Sequence, residues 1–401
     1  MNRKLLIVSQ HFPPEIGAAS NRMEHLCRYL SKAGYELYVI TSQPSYPNRT
    51  LYTKQAFFSN ENGCRLYRIP IISIGNNGVL SRISQHLAFL LMASMVTIIL
   101  GIQYQIKTCI TTSPPFSVNM IGLLFKLTGW RRKWIMEVRD LWPDSMTAVE
   151  FIEKNALIYR WLKRLELYFY RTASNIVVVT NQTKRILEQQ EIPANKIKII
   201  TNGIPDWTAE VFNLKLSSQR INSEFIILYA GNIGKSQNLA QLIQAAEYLS
   251  DYKFCIIGDG LEKEKLMKLV ERKNLKNITF IDAITDKRLL LNWYAKADIG
   301  VISLKDAKLF ENVIPSKLFE YAGARLPILF IGKGEGAELV NKYKLGKVAL
   351  SKTEDIIDAI NCMYDDIQSY RENSDNLDKF IQKYRWSSLA NKYIKLIDSH
   401  L

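Results

Sequence analysis

Short apolar runs alternate with amphipathic stretches along this 401-residue chain. Residues 5–8, 37–41, 107–111, 133–137, 175–179 and 197–200 read as buried strands, the first two and last two rich in Ile, Val and Leu. Between them the apolar positions recur at helical spacing, which predicts helices over 20–32 (ending at Gly34), 116–127 and 154–172. The rhythm breaks near Gly203-Ile204-Pro205-Asp206-Trp207 and then restarts. Strands are expected at 225–229, 253–257, 278–281, 299–302 and 328–330, and helices at 238–249, 261–273, 286–297 and 317–322. Strand–helix alternation of this kind belongs to parallel sheets covered by helices.

The predicted organisation is an α/β domain over 1–205, a second over 206–376, and a helical segment, 377–401, that crosses back to the first. Two parallel sheets in one chain place ligands in a cleft at their carboxyl ends. Residues 42–77 carry prolines, aromatics and glycines and read as one long excursion, a length usually tied to function or mobility. The run 87–102 is apolar apart from Ser94 and Thr97 and uncharged, but slightly short for a span. A helix buried on a sheet is the expectation there; a membrane-dipping helix is the alternative, and a transmembrane segment comes last. A second apolar helix, 116–130, ends at Gly129 and Trp130 and is followed by Arg131, Arg132 and Lys133.

Charge sharpens this picture. Of the net +15, residues 1–205 carry +13 (25 Lys and Arg against 12 Asp and Glu) and the remainder carries +2 (28 against 26). No acidic residue lies between Glu61 and Glu137. Such a stretch suits an anionic surface, phospholipid before nucleic acid, since no helix-turn-helix, zinc-finger or RNP-type pattern accompanies it. Cys27, Cys64, Cys109, Cys255 and Cys362 are odd in number and scattered, which reads as reduced core thiols in a cytoplasmic protein. With the first strand expected at residues 5–8, no signal peptide is expected ahead of it.

The densest chemistry lies in Pro315-Ser316-Lys317-Leu318-Phe319-Glu320, at the opening of a helix that follows the strand 299–302. A helix start binds anions through its leading N–H groups, and Glu320 shares a face with Lys317. Phosphate and ribose held together make a nucleotide-diphosphate site. Gly231-Asn232-Ile233-Gly234-Lys235 follows the first strand of the second half, and Gly258-Asp259-Gly260 follows the next. In the first half, Gly17, Ala18 and Ala19 separate strand one from a helix and admit close backbone approach to a ligand; an ordinary turn is the alternative. Arg139 and Asp140 follow the strand 133–137 and either serve an acceptor or pair with each other.

These signals together resemble the GT-B glycosyltransferases of family 4, nearly end to end. The likeness rests on Phe12-Pro13-Pro14-Glu15-Ile16-Gly17-Ala18-Ala19, Thr112-Ser113-Pro114-Pro115, Glu137-Val138-Arg139-Asp140-Leu141-Trp142-Pro143 and Thr201-Asn202-Gly203-Ile204-Pro205. It is strongest to bacterial surface-polysaccharide enzymes, the L-fucosamine transferases in particular. The resemblance implies two Rossmann-like domains facing across a cleft and a retaining transfer to a lipid-linked acceptor. The donor would be a UDP-sugar, such as UDP-N-acetyl-L-fucosamine, and the acceptor a polyprenyl-pyrophosphate-linked saccharide of an O-antigen or capsule. It implies donor contacts from Gly17, Asn232, Lys235, Gly258, Ser316, Lys317 and Glu320. His11, Glu15, Ala18 and Arg139 would meet the acceptor, and Asp140, Arg139 and Lys235 would carry catalysis. The family's paired glutamates reduce here to Glu320, with Asn312 at the first position, and its phosphate-binding arginine reads Asn232. No DxD-like pair stands at a donor loop, so neither a metal nor another cofactor is expected. The expected location is the cytoplasmic face of the cell membrane, as a peripheral protein without nucleic-acid partners. A GT-B-shaped UDP-sugar epimerase and a non-catalytic partner in a polysaccharide assembly complex are the other two readings.

Overall fold

The computed structural model describes residues 3–15, 17–45, 49–72, 79–148, 153, 155–210, 224–308 and 310–399. It divides into one unit of Met1–Thr201 with Trp386–Leu401, and a second of Asn202–Arg385.

The first unit is built on an eight-stranded sheet ordered β3-β4-β2-β1-β5-β6-β7-β8. Its strands are β1 Lys4–Val8, β2 Glu36–Ser42, β3 Phe58–Glu61, β4 Cys64–Ile69, β5 Thr108–Ser113, β6 Lys133–Val138, β7 Asn175–Val178 and β8 Ile197–Ile199. All pair in parallel except β3 with β4. Leu5, Leu6, Ile7 and Val8 are all fully buried, because a parallel strand is covered on both faces. Leu5 and Ile7 pack with Leu26, Leu30, Trp386 and Tyr393, from the helices Ala18–Lys32 and Trp386–Asp398. Leu6 and Val8 face the opposite way, toward Phe89 and Phe125 of the helices Val79–Gln103 and Val118–Leu127. The chain runs outward from β1 through β2 to β4, then resumes from β5 on the other side. The β1/β5 boundary is therefore a topological switch point.

The second unit holds a six-stranded sheet, all parallel, ordered β11-β10-β9-β12-β13-β14. Its strands are β9 Phe225–Ala230, β10 Tyr252–Ile257, β11 Ile278–Ile281, β12 Ile299–Ser303, β13 Ile328–Ile331 and β14 Gly346–Ala349. Here β9/β12 is the switch point.

Three expectations need correction. The expected domain limits, 1–205, 206–376 and 377–401, move to Thr201/Asn202 and Arg385/Trp386. The helix Ser374–Tyr384 stays in the second unit because Phe380 stacks on Phe319, Tyr384 packs against the same ring at a tilt, and the Ile204 N–H donates to the Tyr384 carbonyl at 2.9 Å. Only Trp386–Asp398 returns to the first. The excursion 42–77 contains the β3–β4 hairpin, turned at Asn62 (φ 51°) and Gly63 (φ 76°), a pair suited to a tight hairpin turn. The helix predicted within 87–102 runs Val79–Gln103 and is buried on one face only. Phe89, Ala93, Thr97 and Leu100 are inside, while Leu87, Leu91, Met95, Ile99 and Ile102 are exposed.

Candidate active site

At the β9/β12 switch point the chain makes two glycine turns in close register. Gly231 (φ 149°) follows β9 and Gly258 (φ 149°) follows β10. A Cβ on Gly258 would stand 1.9 Å from the Gly231 carbonyl oxygen, so the two backbones approach as only glycine permits. A Cβ on Gly231 would meet Cε and Nζ of Lys317 at 2.3 Å. The lysine side chain thus lies directly against this turn, with Nζ 4.9 Å from the centre of the Tyr229 ring. Burial holds its pKa below the ordinary lysine value, with the Glu320 charge acting in the opposite sense.

Lys317 sits in the first turn of the helix Ser316–Gly323, which Pro315 precedes as N-cap. Glu320 comes one turn later. Its Oε2 accepts a 2.9 Å hydrogen bond from the Tyr294 hydroxyl. Burial pushes the Glu320 carboxyl up; the bond from Tyr294 and the charge of Lys317 oppose that rise. Tyr294 is itself fixed by a stack on Trp207 at 6.1 Å and an edge contact with Tyr321 at 5.3 Å. The Tyr321 hydroxyl accepts from the Ala230 N–H at 3.1 Å, locking the end of β9 beside the glycine turn. A cation, a helix N-terminus and a carboxylate therefore converge at one sheet end. This suits a diphosphate flanked by a diol, the carboxylate accepting both hydroxyl protons.

Ser316, Lys317, Glu320 and Gly258 are thus brought together. Lys235, given a phosphate role on sequence, is exposed at the start of the short turn Lys235–Gln237. Lys317, and not Lys235, lies on the Gly231 turn. Asn232 is also exposed, its Nδ2 reaching Gln237 Oε1 at 3.4 Å, while the same Gln237 oxygen accepts from the Gly234 N–H. Among the described residues no three His, Cys, Asp or Glu side chains gather as a metal-binding group.

In the first unit the remaining candidates lie after β1 and β6, at the carboxyl end of the sheet. His11 Nδ1 is 2.7 Å from Glu15 Oε2, and buried Glu15 takes the Ser45 N–H on Oε1 at 2.6 Å. Glu15 is therefore tied into its own loop and to the loop after β2. Gly17 (φ 152°) caps the helix that Ala18 begins. Ile16 of the same loop lies outside the described residues. Arg139 has Nε and Nη1 buried without a hydrogen-bond partner. Burial lowers its pKa, and burial raises that of Asp140 against the pull of the Arg139 charge.

A buried cluster beside them was not singled out on sequence. Arg22 Nη2 donates to Glu137 Oε2 at 2.8 Å and to the Ile200 carbonyl at 2.8 Å, and Nη1 donates to the Thr201 carbonyl at 2.5 Å. The Thr112 hydroxyl donates to Glu137 Oε1 at 2.8 Å, and Tyr393 donates to Oε2. The signal was an arginine at the apolar spacing Arg22-Leu26-Leu30. Burial alone would raise the Glu137 pKa, yet the Arg22 charge and the bonds from Arg22 and Tyr393 hold it below the ordinary value.

Residues 17–203 match the glycosyl transferase 4-like domain and residues 213–383 match the glycosyl transferases group 1, so the two models together span most of the chain. The chain is similar to the putative colanic acid biosynthesis glycosyl transferase of Escherichia coli K12, with 23% identity over 295 residues, 69% of this chain and 71% of that protein. Among solved structures it is similar to sucrose-phosphate synthase from Thermosynechococcus elongatus, with TM-score 0.76, 16% identity and 99% and 98% of the two chains covered. It is also similar to Anabaena HepE in complex with UDP and glucose, with TM-score 0.69, 14% identity and 99% of each chain covered. At these identities the structural likenesses establish the fold.

Proposed function

We propose that this chain, a glycosyltransferase of GT-B fold built from a 4-like domain and a group 1 domain, transfers a sugar from a UDP-sugar to a lipid-linked acceptor in bacterial surface polysaccharide assembly. The observation that carries the donor half is Lys317 laid on the Gly231 turn with Glu320 one helical turn away. Uridine diphosphate is the nucleotide of the Anabaena neighbour, and the polysaccharide class follows the E. coli relative. In this reading Lys317 and the leading amides of Ser316–Gly323 hold the diphosphate, and Glu320 accepts hydrogen bonds from the ribose hydroxyls. The sugar would be an N-acetylated hexose such as N-acetyl-L-fucosamine, the acceptor a polyprenyl-pyrophosphate saccharide, and the setting the cytoplasmic face of the membrane.

The chemistry proposed for those residues is a retaining displacement. The bond from the sugar's anomeric carbon to the diphosphate oxygen breaks, and negative charge builds on that oxygen, where the Lys317 ammonium stabilises it. The acceptor hydroxyl attacks the anomeric carbon from the leaving-group side, so configuration is retained, and its proton goes to the departing phosphate oxygen. Arg139, whose buried Nε and Nη1 make no hydrogen bond within the protein, binds a phosphate of the acceptor, and Asp140 orients the attacking hydroxyl.

The test is mass spectrometry of products from purified protein with a panel of UDP-sugars and polyprenyl-pyrophosphate acceptors, wild type beside Glu320→Ala. A lengthened acceptor plus UDP, lost in the variant, is the expected result. Conversion of a UDP-sugar with no acceptor present would assign an epimerase instead. Donor binding without turnover on every acceptor would assign a non-catalytic partner.

A further inference from the structure

We propose that the outer face of one helical layer of the first unit, carrying Leu91, Met95, Ile99, Trp130 and Trp161, docks flat on an anionic phospholipid bilayer. The proposal rests on the reading that the acceptor is lipid-borne, and it names the surface that would meet that lipid.

Three helices cover the same side of the first sheet: Val79–Gln103, Val118–Leu127 and Leu157–Thr172, the middle one packed against both others. Their inner faces belong to the core. The outer faces of the first two carry exposed apolar side chains where a soluble surface would be polar, and that of the third mixes exposed apolar side chains with arginines. Leu91, Met95 and Ile99 stand four residues apart on one helix, which aligns them as a ridge, and each is more than half exposed. Trp130, at the turn after the second helix, is 97% exposed. Arg132, two residues on, packs against Gly101, so the Trp130 turn abuts the end of the ridge-bearing helix. On the third helix Trp161 and Leu157 are exposed as well. Contiguous exposure of this kind marks a partner or a membrane.

Charge selects the bilayer. The Arg131 guanidinium lies 6.0 Å from the Trp130 ring centre, and Arg160 and Arg164 are exposed beside Trp161. Glu166, an acid on that same helix, points inward and is 1% exposed, and the chain has no acid between Glu61 and Glu137. Tryptophan and aliphatic side chains ringed by arginine fit the boundary between acyl chains and anionic headgroups. By length and composition the stretch Ser84–Gln103 is able to cross a bilayer. The burial of Phe89, Ala93, Thr97 and Leu100 on its other side keeps it in the plane of the interface instead.

The experiment is co-sedimentation of the full chain with vesicles of pure phosphatidylcholine and of phosphatidylcholine with phosphatidylglycerol. Wild type is compared with Leu91→Ser/Met95→Ser and with Trp130→Ser/Trp161→Ser. The positions are exposed, so melting temperature and UDP-sugar binding stay at wild-type values and report that each variant is folded. Wild type is expected to bind the anionic vesicles at least about tenfold more tightly than neutral ones, and each double variant to lose about tenfold. Equal binding to both vesicle types, or unchanged binding by both variants, overturns the proposal. So does a wild-type dimer in sedimentation velocity that the same variants abolish, which would give the face to a second copy. If vesicle binding fails while transfer to a detergent-solubilised lipid acceptor persists, the surface falls and the catalytic reading stands.

Discussion

Tyr294 and Glu320 are joined by a 2.9 Å hydrogen bond from phenol to carboxylate, which fixes the acid that the donor reading depends on. Removing the hydroxyl with Tyr294→Phe keeps the stack on Trp207 but frees the carboxylate to turn. A hydrogen bond to a charged group contributes about 1.5–3 kcal/mol, so the KM for donor is expected to rise about tenfold or more, with kcat changed far less. The Glu320 carboxyl, already raised by burial, rises further without this bond. Donor affinity falls as pH drops through that raised value, because only the ionised acid accepts two ribose hydroxyls, and in Tyr294→Phe the fall begins at higher pH. Donor KM measured against pH for both proteins checks this; superimposable profiles would remove Tyr294 from the site.

Gly258 offers a second test, independent of titration. Alanine there puts a methyl group 1.9 Å from the Gly231 carbonyl oxygen at a φ of 149°. One of the two turns must move, and the Gly231 turn is the seat of Lys317. Gly258→Ala is expected to destabilise the second unit by about 1–3 kcal/mol and to weaken UDP binding about tenfold or more. Chemical denaturation and calorimetric titration with UDP read the two effects separately.

The order of strands and helices was legible because parallel strands buried on both faces leave unbroken apolar runs such as Leu5–Val8. The β3 strand was not legible. Phe-Ser-Asn-Glu is a half-exposed edge with no apolar alternation, and only Asn62-Gly63 announced its turn. The helix start at Ser316 and its lysine and glutamate were readable as a local motif. Which lysine lies on the Gly231 turn was not: Lys235 is four residues away along the chain and Lys317 is brought there only by folding. Arg22 and Glu137 are 115 residues apart, and nothing local pairs them.

That pair gives a third prediction. Arg22→Met removes the hydrogen-bonded cation from a fully buried carboxylate and leaves Glu137 with the hydrogen bonds of Thr112 and Tyr393 and the charge of Arg139. Breaking one side of such a pair costs about 3–5 kcal/mol. In wild type the depressed Glu137 pKa contributes stability that is present above the ordinary carboxylate value and lost as pH falls through the folded one. In the variant that contribution is gone. Urea denaturation at neutral and acidic pH should therefore show a large gap between the proteins at neutral pH that narrows in acid. A gap independent of pH would mean the arginine acts by packing on Trp386 and Tyr393, where its guanidinium also lies, and not through charge.

Glu166 makes the opposite pH prediction in the same unit. Its carboxyl is 1% exposed, 2.6 Å from Lys163 Nζ, and accepts the Tyr170 hydroxyl at 2.6 Å. Burial dominates and pushes it up to about 7, although Lys163 and the two hydrogen bonds favour the ionised form. A carboxyl raised on folding binds its proton more tightly in the native state than in the unfolded chain. Its contribution to stability is thus full below the ordinary value of 4.5 and is lost as pH rises to about 7, above which it is flat. The slope across that window is at most about 1.4 kcal/mol per pH unit. Glu166→Gln keeps a hydrogen-bonding side chain of the same size and removes the titration, while Lys163 retains Asp144 at 2.8 Å. The difference in unfolding free energy between wild type and variant, taken at half-unit steps from pH 4.5 to 8, cancels the other titrating groups. It should change across the acidic part of the range and level off near pH 7; a difference flat throughout would show that Glu166 is ionised in the folded protein across the whole range.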